Sequence, residues 1–177
     1  MTVQPARPTA ILIGIGANLA SERFGAPLEA CEAALKALGE VAGVRVAAVS
    51  RWFESAPVPA SDQPWFVNGV ARVETELSAL ALLDALHAIE ARFGRVRTVP
   101  NAPRVLDLDL LAYGDEMIGG GEGGEDGAQV PHPRLEGRAF VLLPLGDVAP
   151  DWVHPRTGCA LAEMVAKLPN DQVCRPL

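Results

Sequence analysis

Two aspartates, Asp107 and Asp109, lie in an otherwise apolar stretch, Arg104-Val105-Leu106-Asp107-Leu108-Asp109-Leu110-Leu111. From Val105 the pattern alternates strictly, with Val105, Asp107 and Asp109 on one face of a strand and Leu106, Leu108 and Leu110 on the other. Two like charges on one face repel unless a cation lies between them. A divalent metal with oxygen ligands removes that repulsion, and Mg²⁺ takes one or two carboxylates and completes its shell with phosphate and water. On its own the pair fits a strand with one solvated acidic face equally well. The preceding segment, residues 92–104 (RFGRVRTVPNAPR), favours the metal: it holds four arginines, Arg92, Arg95, Arg97 and Arg104, and no acid. Its two prolines and lack of helical period make it a loop that delivers Arg104 to the strand. Arginine offers bidentate hydrogen bonds to phosphate oxygens, and the acids would hold the metal that neutralises the rest. The chemistry indicated is binding of a metal-complexed polyphosphate; an array of salt bridges is the alternative.

Such a site needs a folded scaffold, and 177 residues suffice for one domain with a full core. With 49% hydrophobic and 21% charged residues the composition is that of a soluble globular protein. A net charge of −7 argues against nucleic acid or an anionic membrane as a general partner, so an anionic substrate must be held by a local cluster of cations. Cys31, Cys159 and Cys174 are an odd, widely spaced set and read as reduced thiols of a cytoplasmic protein. No basic-then-apolar leader opens the chain and no apolar run approaches the length of a membrane span, so neither export nor insertion is expected.

Residues 1–8 read as a loose arm. Thr9 to Gly16 is a short Ile-rich strand, with the exit Gly16-Ala17-Asn18-Leu19 reading as a turn. Gly14 and Gly16 complete neither dinucleotide nor P-loop spacing and are expected to be structural. Pro27 to Leu38 is an amphipathic helix with Leu28, Cys31, Leu35 and Leu38 at helical spacing. Val44 to Phe53 reads as one strand, Glu54 to Trp65 as a proline-rich loop, and Phe66 to Glu76 as a further strand. Ser78 is the expected N-cap of a helix ending at Phe93 and Gly94, with Leu82, Leu86, Ile89 and Phe93 as its core stripe. His87 and Glu90 lie three apart on a neighbouring face. After the two-aspartate strand come a possible edge strand at Glu116 to Ile118 and a flexible glycine-rich loop, residues 119–128. Helices are expected over Arg134 to Leu145 and Leu161 to Leu168. The order strand, helix, strand, strand, helix, strand is that of an α+β, ferredoxin-like single domain, a mainly antiparallel sheet with helices on one face.

At this level of detail the chain resembles a known family. The segments APRVLDLDLL, VPHPRLEGRAFVLLPL and APDWVHP, with IGIGANL, SDQPWFVNGV and IEARFGRVR, resemble 6-hydroxymethyl-7,8-dihydropterin pyrophosphokinases across nearly the whole chain, in order. The resemblance implies a ferredoxin-like α+β fold and transfer of pyrophosphate from ATP to the pterin hydroxymethyl group in folate biosynthesis, with two Mg²⁺ ions and release of AMP. It implies a cytoplasmic enzyme acting on small molecules as a monomer.

Carried over residue by residue, the resemblance makes Asp107 and Asp109 the metal ligands. It also places Asp107 near the hydroxymethyl oxygen, although a metal-ligating carboxylate is a poor base. Arg95, Arg97 and Arg104 match arginines around the phosphates, the first two with catalytic roles. His132 and Arg138 match a second phosphate-contacting pair, and His87, Glu90 and Leu110 complete the nucleotide-binding set. Phe66 and Phe140 would stack on the pterin bicycle, while Asn68 and the segment Ser55, Ala56, Pro57 and Val58 read its edge. The chain departs from many relatives between Arg97 and Arg104, where Val99-Pro100-Asn101-Ala102 replaces a segment with a further Arg and a Trp. Pro133 replaces an aromatic, Phe66 replaces Tyr, and the glycine-rich loop is longer and brings no basic residue. A nucleotidyltransferase or phosphohydrolase using the same acids, or a non-catalytic ferredoxin-like metabolite-binding module, are the competing readings. Replacing Asp107 or Asp109 with alanine is expected to lower AMP formation by orders of magnitude without unfolding the protein, since charge stabilisation through a held metal contributes several kcal/mol. Unchanged turnover in either variant would count against the metal site.

Overall fold

The computed structural model describes residues 10–95, 102–119 and 128–177. Residues 1–8, most of the glycine-rich loop and the segment containing Arg97 therefore lie outside the described residues. The elements are β1 (Ile11–Ala17), α1 (Pro27–Gly39), β2 (Val44–Val49), β3 (Phe53–Ser55), β4 (Phe66–Thr75), α2 (Ala79–Arg92), β5 (Asp107–Tyr113), α3 (Ala139–Val148), α4 (Leu161–Ala166) and β6 (Cys174–Pro176). The strands form one sheet in the order β5-β1-β4-β3-β6, with β2 also on β4. Every pairing among them is antiparallel. With β2 and β3 sharing one position along β4, the expected α+β architecture holds.

Helix α2 forms where its sequence signals place it. Ser78 is extended and its side chain accepts from Ala81 N at 3.2 Å, satisfying a donor of the first turn. Gly94 adopts φ +79°, a left-handed conformation suited to glycine, and ends it. In α1 the Glu29 carboxylate accepts from Ala26 N at 2.7 Å. Its buried stripe is Ala30, Cys31, Ala34, Ala37 and Leu38, while Leu28 and Leu35 are only half-buried. Both helices cover one face of the sheet, packing on Ile13, Ile15, Leu106, Leu108 and Leu110.

The other face is not left to solvent, contrary to the sequence expectation of helices on one face. Helix α3 is apolar nearly all round and buries Val141, Leu142, Pro144 and Leu145, so it must itself be covered. It packs with α4 and Trp152 on Leu12, Val70 and Leu111. It starts at Ala139, not Arg134, because residues 132–138 form two tight turns, with Leu135 N on His132 O and Arg138 N on Leu135 O. Pro144 does not stop it; the missing N–H only frees the Phe140 carbonyl within the helix.

Other boundaries shift as well. Gly14 and Gly16 lie inside β1 and not in a turn, and β5 runs from Asp107 to Tyr113. Ile118 forms an isolated bridge with Val130 in place of an edge strand. Helix α4 stops at Ala166, and β6 has no counterpart in the sequence reading. The single strand expected over Val44 to Phe53 is interrupted at residues 50–52. The Ser50 hydroxyl accepts from Val70 N at 2.9 Å and donates to Arg51 O at 2.7 Å, while Arg51 turns outward to Asp147. Trp52 then lies across Gly69, where an added Cβ would meet the indole at 2.6 Å. Gly69→Ala should therefore cost about 1–3 kcal/mol of stability by overpacking; an unshifted urea midpoint would show that Trp52 can move aside.

Candidate active site

The second face of the sheet is only partly covered by α3, and the uncovered end is a cavity of about 280 Å³. Strand register builds its floor. Asp107 pairs with Gly16, which pairs with Asn68; Asp109 pairs with Gly14, which pairs with Val70. With no side chain at Gly16, the space beside Asp107 stays open on the β1 side, whereas at Gly14 an added Cβ would meet the Leu111 side chain at 3.4 Å. At Gly16 a Cβ would stand 3.1 Å from the Asn68 Oδ1.

The cavity lining includes Ser55, Ala56, Pro57, Val58, Phe66, Asn68 and Phe140. The Asn68 Nδ2 donates to the Ser55 Oγ at 2.8 Å, which leaves Oδ1 as an acceptor over Gly16. The same lining includes Arg95, Arg104, Asp107, Asp109, His132 and Arg138, whose guanidinium lies 5.4 Å over the Phe140 ring. The structure thus brings together in one cavity most of the residues the sequence singled out. Three it places elsewhere: Glu90 is buried behind Asp107, Leu110 faces the core beneath the sheet, and half-buried His87 on α2 is not among the lining residues. Arg97 is outside the described residues.

The charges interlock. Arg95 bridges Glu90 and the Asp107 Oδ1, and Arg104 Nη1 reaches the Asp107 Oδ2 at 2.6 Å. Glu90, only 1% exposed, also accepts from Leu108 N at 2.7 Å. Burial works against the Arg95 charge, but Asp107, Glu90 and Asp109 outweigh it and raise its pKa above the usual arginine value. Asp109 has no ion-pair partner among the described residues. Burial, then the neighbouring Asp107 and Glu90 charges, push its carboxyl up to about 7. Arg138 is lowered by burial and by Arg134. His132 is lowered to about 4 by burial, Arg138 and Arg134, so it is neutral near pH 7. Its Nδ1 accepts from Arg134 N at 3.2 Å, which leaves the proton on Nε2 as a donor.

These residues suit Mg²⁺. Asp107 and Asp109 supply hard oxygen donors on one strand face, and the raised Asp109 carboxyl marks a site where added positive charge would be stabilising. Among the described residues no cluster of three or more His, Cys, Asp or Glu could enclose a metal. That fits an ion that keeps water and phosphate in its shell, and not a closed structural zinc site.

The model of the 7,8-dihydro-6-hydroxymethylpterin-pyrophosphokinase family matches residues 12–150. The chain belongs to that family. It is 42% identical over 165 residues to the 2-amino-4-hydroxy-6-hydroxymethyldihydropteridine pyrophosphokinase of Pseudomonas aeruginosa, covering 93% of this chain and 95% of that one. The enzyme of the same name from Haemophilus influenzae is 40% identical over 145 residues, 82% of this chain and 84% of its own. Among solved structures, a Plasmodium falciparum HPPK-DHPS with pteroate superposes with a TM-score of 0.66 at 13% identity. That match covers 90% of this chain and 42% of that one and shows the fold.

Within this pyrophosphokinase fold, several site residues were not singled out from the sequence. Gly16, Gln63 and Arg134 line the cavity. Arg134 stands two residues after His132, and the His-Pro-Arg turn that joins them was a readable signal. Asn18, buried at the end of β1, links two loops: its Nδ2 donates to Gln63 Oε1 and Pro64 O at 3.1 and 3.0 Å, while its Oδ1 accepts from Arg104 N at 2.9 Å. Its partners lie 45, 46 and 86 residues away, so no local pattern announced it.

Asp109 binds its proton more tightly folded than unfolded. The stability it contributes is therefore present below about pH 4 and lost as pH rises through about 7. In metal-free buffer at pH 8, Asp109→Asn should stabilise the protein by about 1–3 kcal/mol, with the gain vanishing near pH 4. Mg²⁺ should raise the melting temperature of the wild type and not of the variant. Equal responses to Mg²⁺ would show that Asp109 is not a ligand.

Proposed function

We propose that this chain transfers pyrophosphate from ATP to 6-hydroxymethyl-7,8-dihydropterin, giving AMP and the pterin pyrophosphate in folate biosynthesis. The observation that carries this reading is one cavity whose lining combines two kinds of group. Phe66, Phe140, Asn68 and Ser55–Val58 suit a flat polar heterocycle. Arg95, Arg104, Arg138, His132 and the two aspartates suit a metal-complexed triphosphate. The pterin hydroxyl and the phosphate chain then meet over Asp107 and Gly16.

In this reading the hydroxymethyl oxygen attacks the β-phosphorus. Its bond to phosphorus forms as the bond from the β-phosphorus to the bridging α,β oxygen breaks, AMP departs, and the hydroxyl proton is released. Asp107 and Asp109 would hold two Mg²⁺ ions, which supply charge neutralisation to the triphosphate and its transition state. The two phenylalanines bind and orient the pterin, and Asn68 presents its Oδ1 to the edge. Arg95, positioned by Glu90, and Arg104 bind phosphate oxygens from one side. Arg138, Arg134 and the Nε2 proton of His132 do so from the other. Arg97 belongs to the same set by sequence. Among the described residues no helix is long and apolar enough to cross a membrane, and the free cysteines support a reducing, cytoplasmic setting.

With ATP, Mg²⁺ and the reduced hydroxymethylpterin, chromatography should show AMP and pterin pyrophosphate appearing in equal amounts. ADP or free pyrophosphate as the product would overturn the assignment, and binding of both substrates without turnover would leave a metabolite-binding module in its place.

A further inference from the structure

Two side chains of the cavity come from the first turn of α3: Arg138 is its N-cap residue and Phe140 follows two positions later. The opening N–H groups of a helix need acceptors, which a Ser, Thr, Asp or Asn at the N-cap normally supplies from its own side chain. Arg138 makes no such bond. The acceptor comes from elsewhere: Gln172 Oε1 takes the Ala139 N–H at 2.9 Å, and its Nε2 donates to Gly137 O at 2.7 Å. One carboxamide thus holds the backbone on both sides of Arg138. A residue capping from position 138 itself would fold its side chain back onto the helix; the remote cap leaves that position to a cation facing the cavity.

The same short segment reaches the opposite wall. Val173 O accepts from Ala56 N at 3.1 Å, and Cys174 pairs with Ser55 as β6 adds to β3. Residues 172–174 are not among the lining residues, yet they tie the start of α3 to the Ser55–Ala56 wall. At its far end α3 is fixed separately, by Asp147 accepting from Arg51 at 3.0 Å.

We infer that Gln172 is a positioning residue for the reaction: by capping α3 from outside the helix it sets Arg138 and Phe140 against the Ser55–Ala56 wall. The inference rests on the pterin and polyphosphate reading of the cavity. Gln172→Met keeps the length and loses both hydrogen bonds; Gln172→Glu keeps the acceptor for Ala139 and loses the donor to Gly137. Both are compared with the wild type in the full chain with Mg²⁺, well below the unfolding midpoint, through kcat, the KM for each substrate, and pterin affinity from its fluorescence.

Because small displacements of binding groups are costly, Gln172→Met should lower kcat about tenfold and raise the pterin KM about fivefold, with Gln172→Glu between it and the wild type. A purely structural cap would lower only the melting temperature. Kinetic constants within about twofold of wild type in Gln172→Met would therefore overturn the inference. Should that variant not fold, Gln172→Glu decides alone, its match to wild type counting against the role. Failure of the wild type to form AMP would strike the proposed function instead; the fluorescence titration would then still decide whether Gln172 sets the Phe140 wall.

Discussion

The constraint on which the rest depends is the enclosure of three carboxylates, Glu90, Asp107 and Asp109, in one corner of the fold. An unpaired buried carboxylate is strongly destabilising, so a residue as enclosed as Glu90 must be paired and hydrogen-bonded. Arg95 and Leu108 N satisfy it, and Arg95 passes on to Asp107, which Arg104 closes from its other oxygen. The end of α2, Arg95, Arg104 and the start of β5 are therefore held together by charge, and α2 also by its Leu82, Leu86, Ile89 and Phe93 stripe. Asp109 is the member with no ion pair among the described residues; burial and the Asp107 and Glu90 charges raise its pKa, and Arg138 and Arg95 offset them only in part. Neutralising the corner has been left incomplete at the position that faces the cavity.

The two faces of the sheet divide the remaining labour. One is fully covered by α1 and α2 and supplies a continuous core; the other is covered by α3 only as far as Leu111 and Val70. Beyond the first turn of α3, the same strand rows continue as Asp109, Gly14, Asp107, Gly16 and Asn68. A side chain at Gly16 would occupy the floor, its Cβ standing 3.1 Å from the Asn68 Oδ1. The cavity thus arises from a switch of residue size and polarity along rows that are otherwise ordinary core.

What was legible in the sequence was what neighbours in the chain decide. The alternation around Asp107 and Asp109, the Ser78 cap, the Gly94 stop and the acid-free arginine loop each carry their physical reason within a few residues. Phe66 and Phe140 could be placed only by resemblance, because an aromatic beside an apolar run reads as core. Asn18, Gln172 and the break at residues 50–52 were illegible for a different reason. Each works through partners far along the chain, and a polar side chain gives no sign of which distant backbone group it will satisfy. The exit at Gly16 was read as a turn because a glycine closing an apolar run suggests one, whereas here the strand continues to Ala17 and the missing side chain at Gly16 matters.

The net charge of −7 bears directly on how an anion reaches such a site. At physiological ionic strength charge is screened beyond about 8 Å, so the acidic surface repels polyphosphate only weakly at a distance. Attraction then has to come at contact, from Arg95, Arg104, Arg134 and Arg138 lining one cavity. Two of those four are committed in part to Asp107 and Glu90, and Arg138 sits beside another arginine that lowers its pKa. Cations so placed cannot offset a fully ionised triphosphate together with two ionised aspartates. In the proposed reaction a divalent metal held by the aspartates would resolve both excesses at once, since each set of anions would supply the ligands that the other lacks. On that reading the acidity of the corner and the anionic character of the substrate are one requirement.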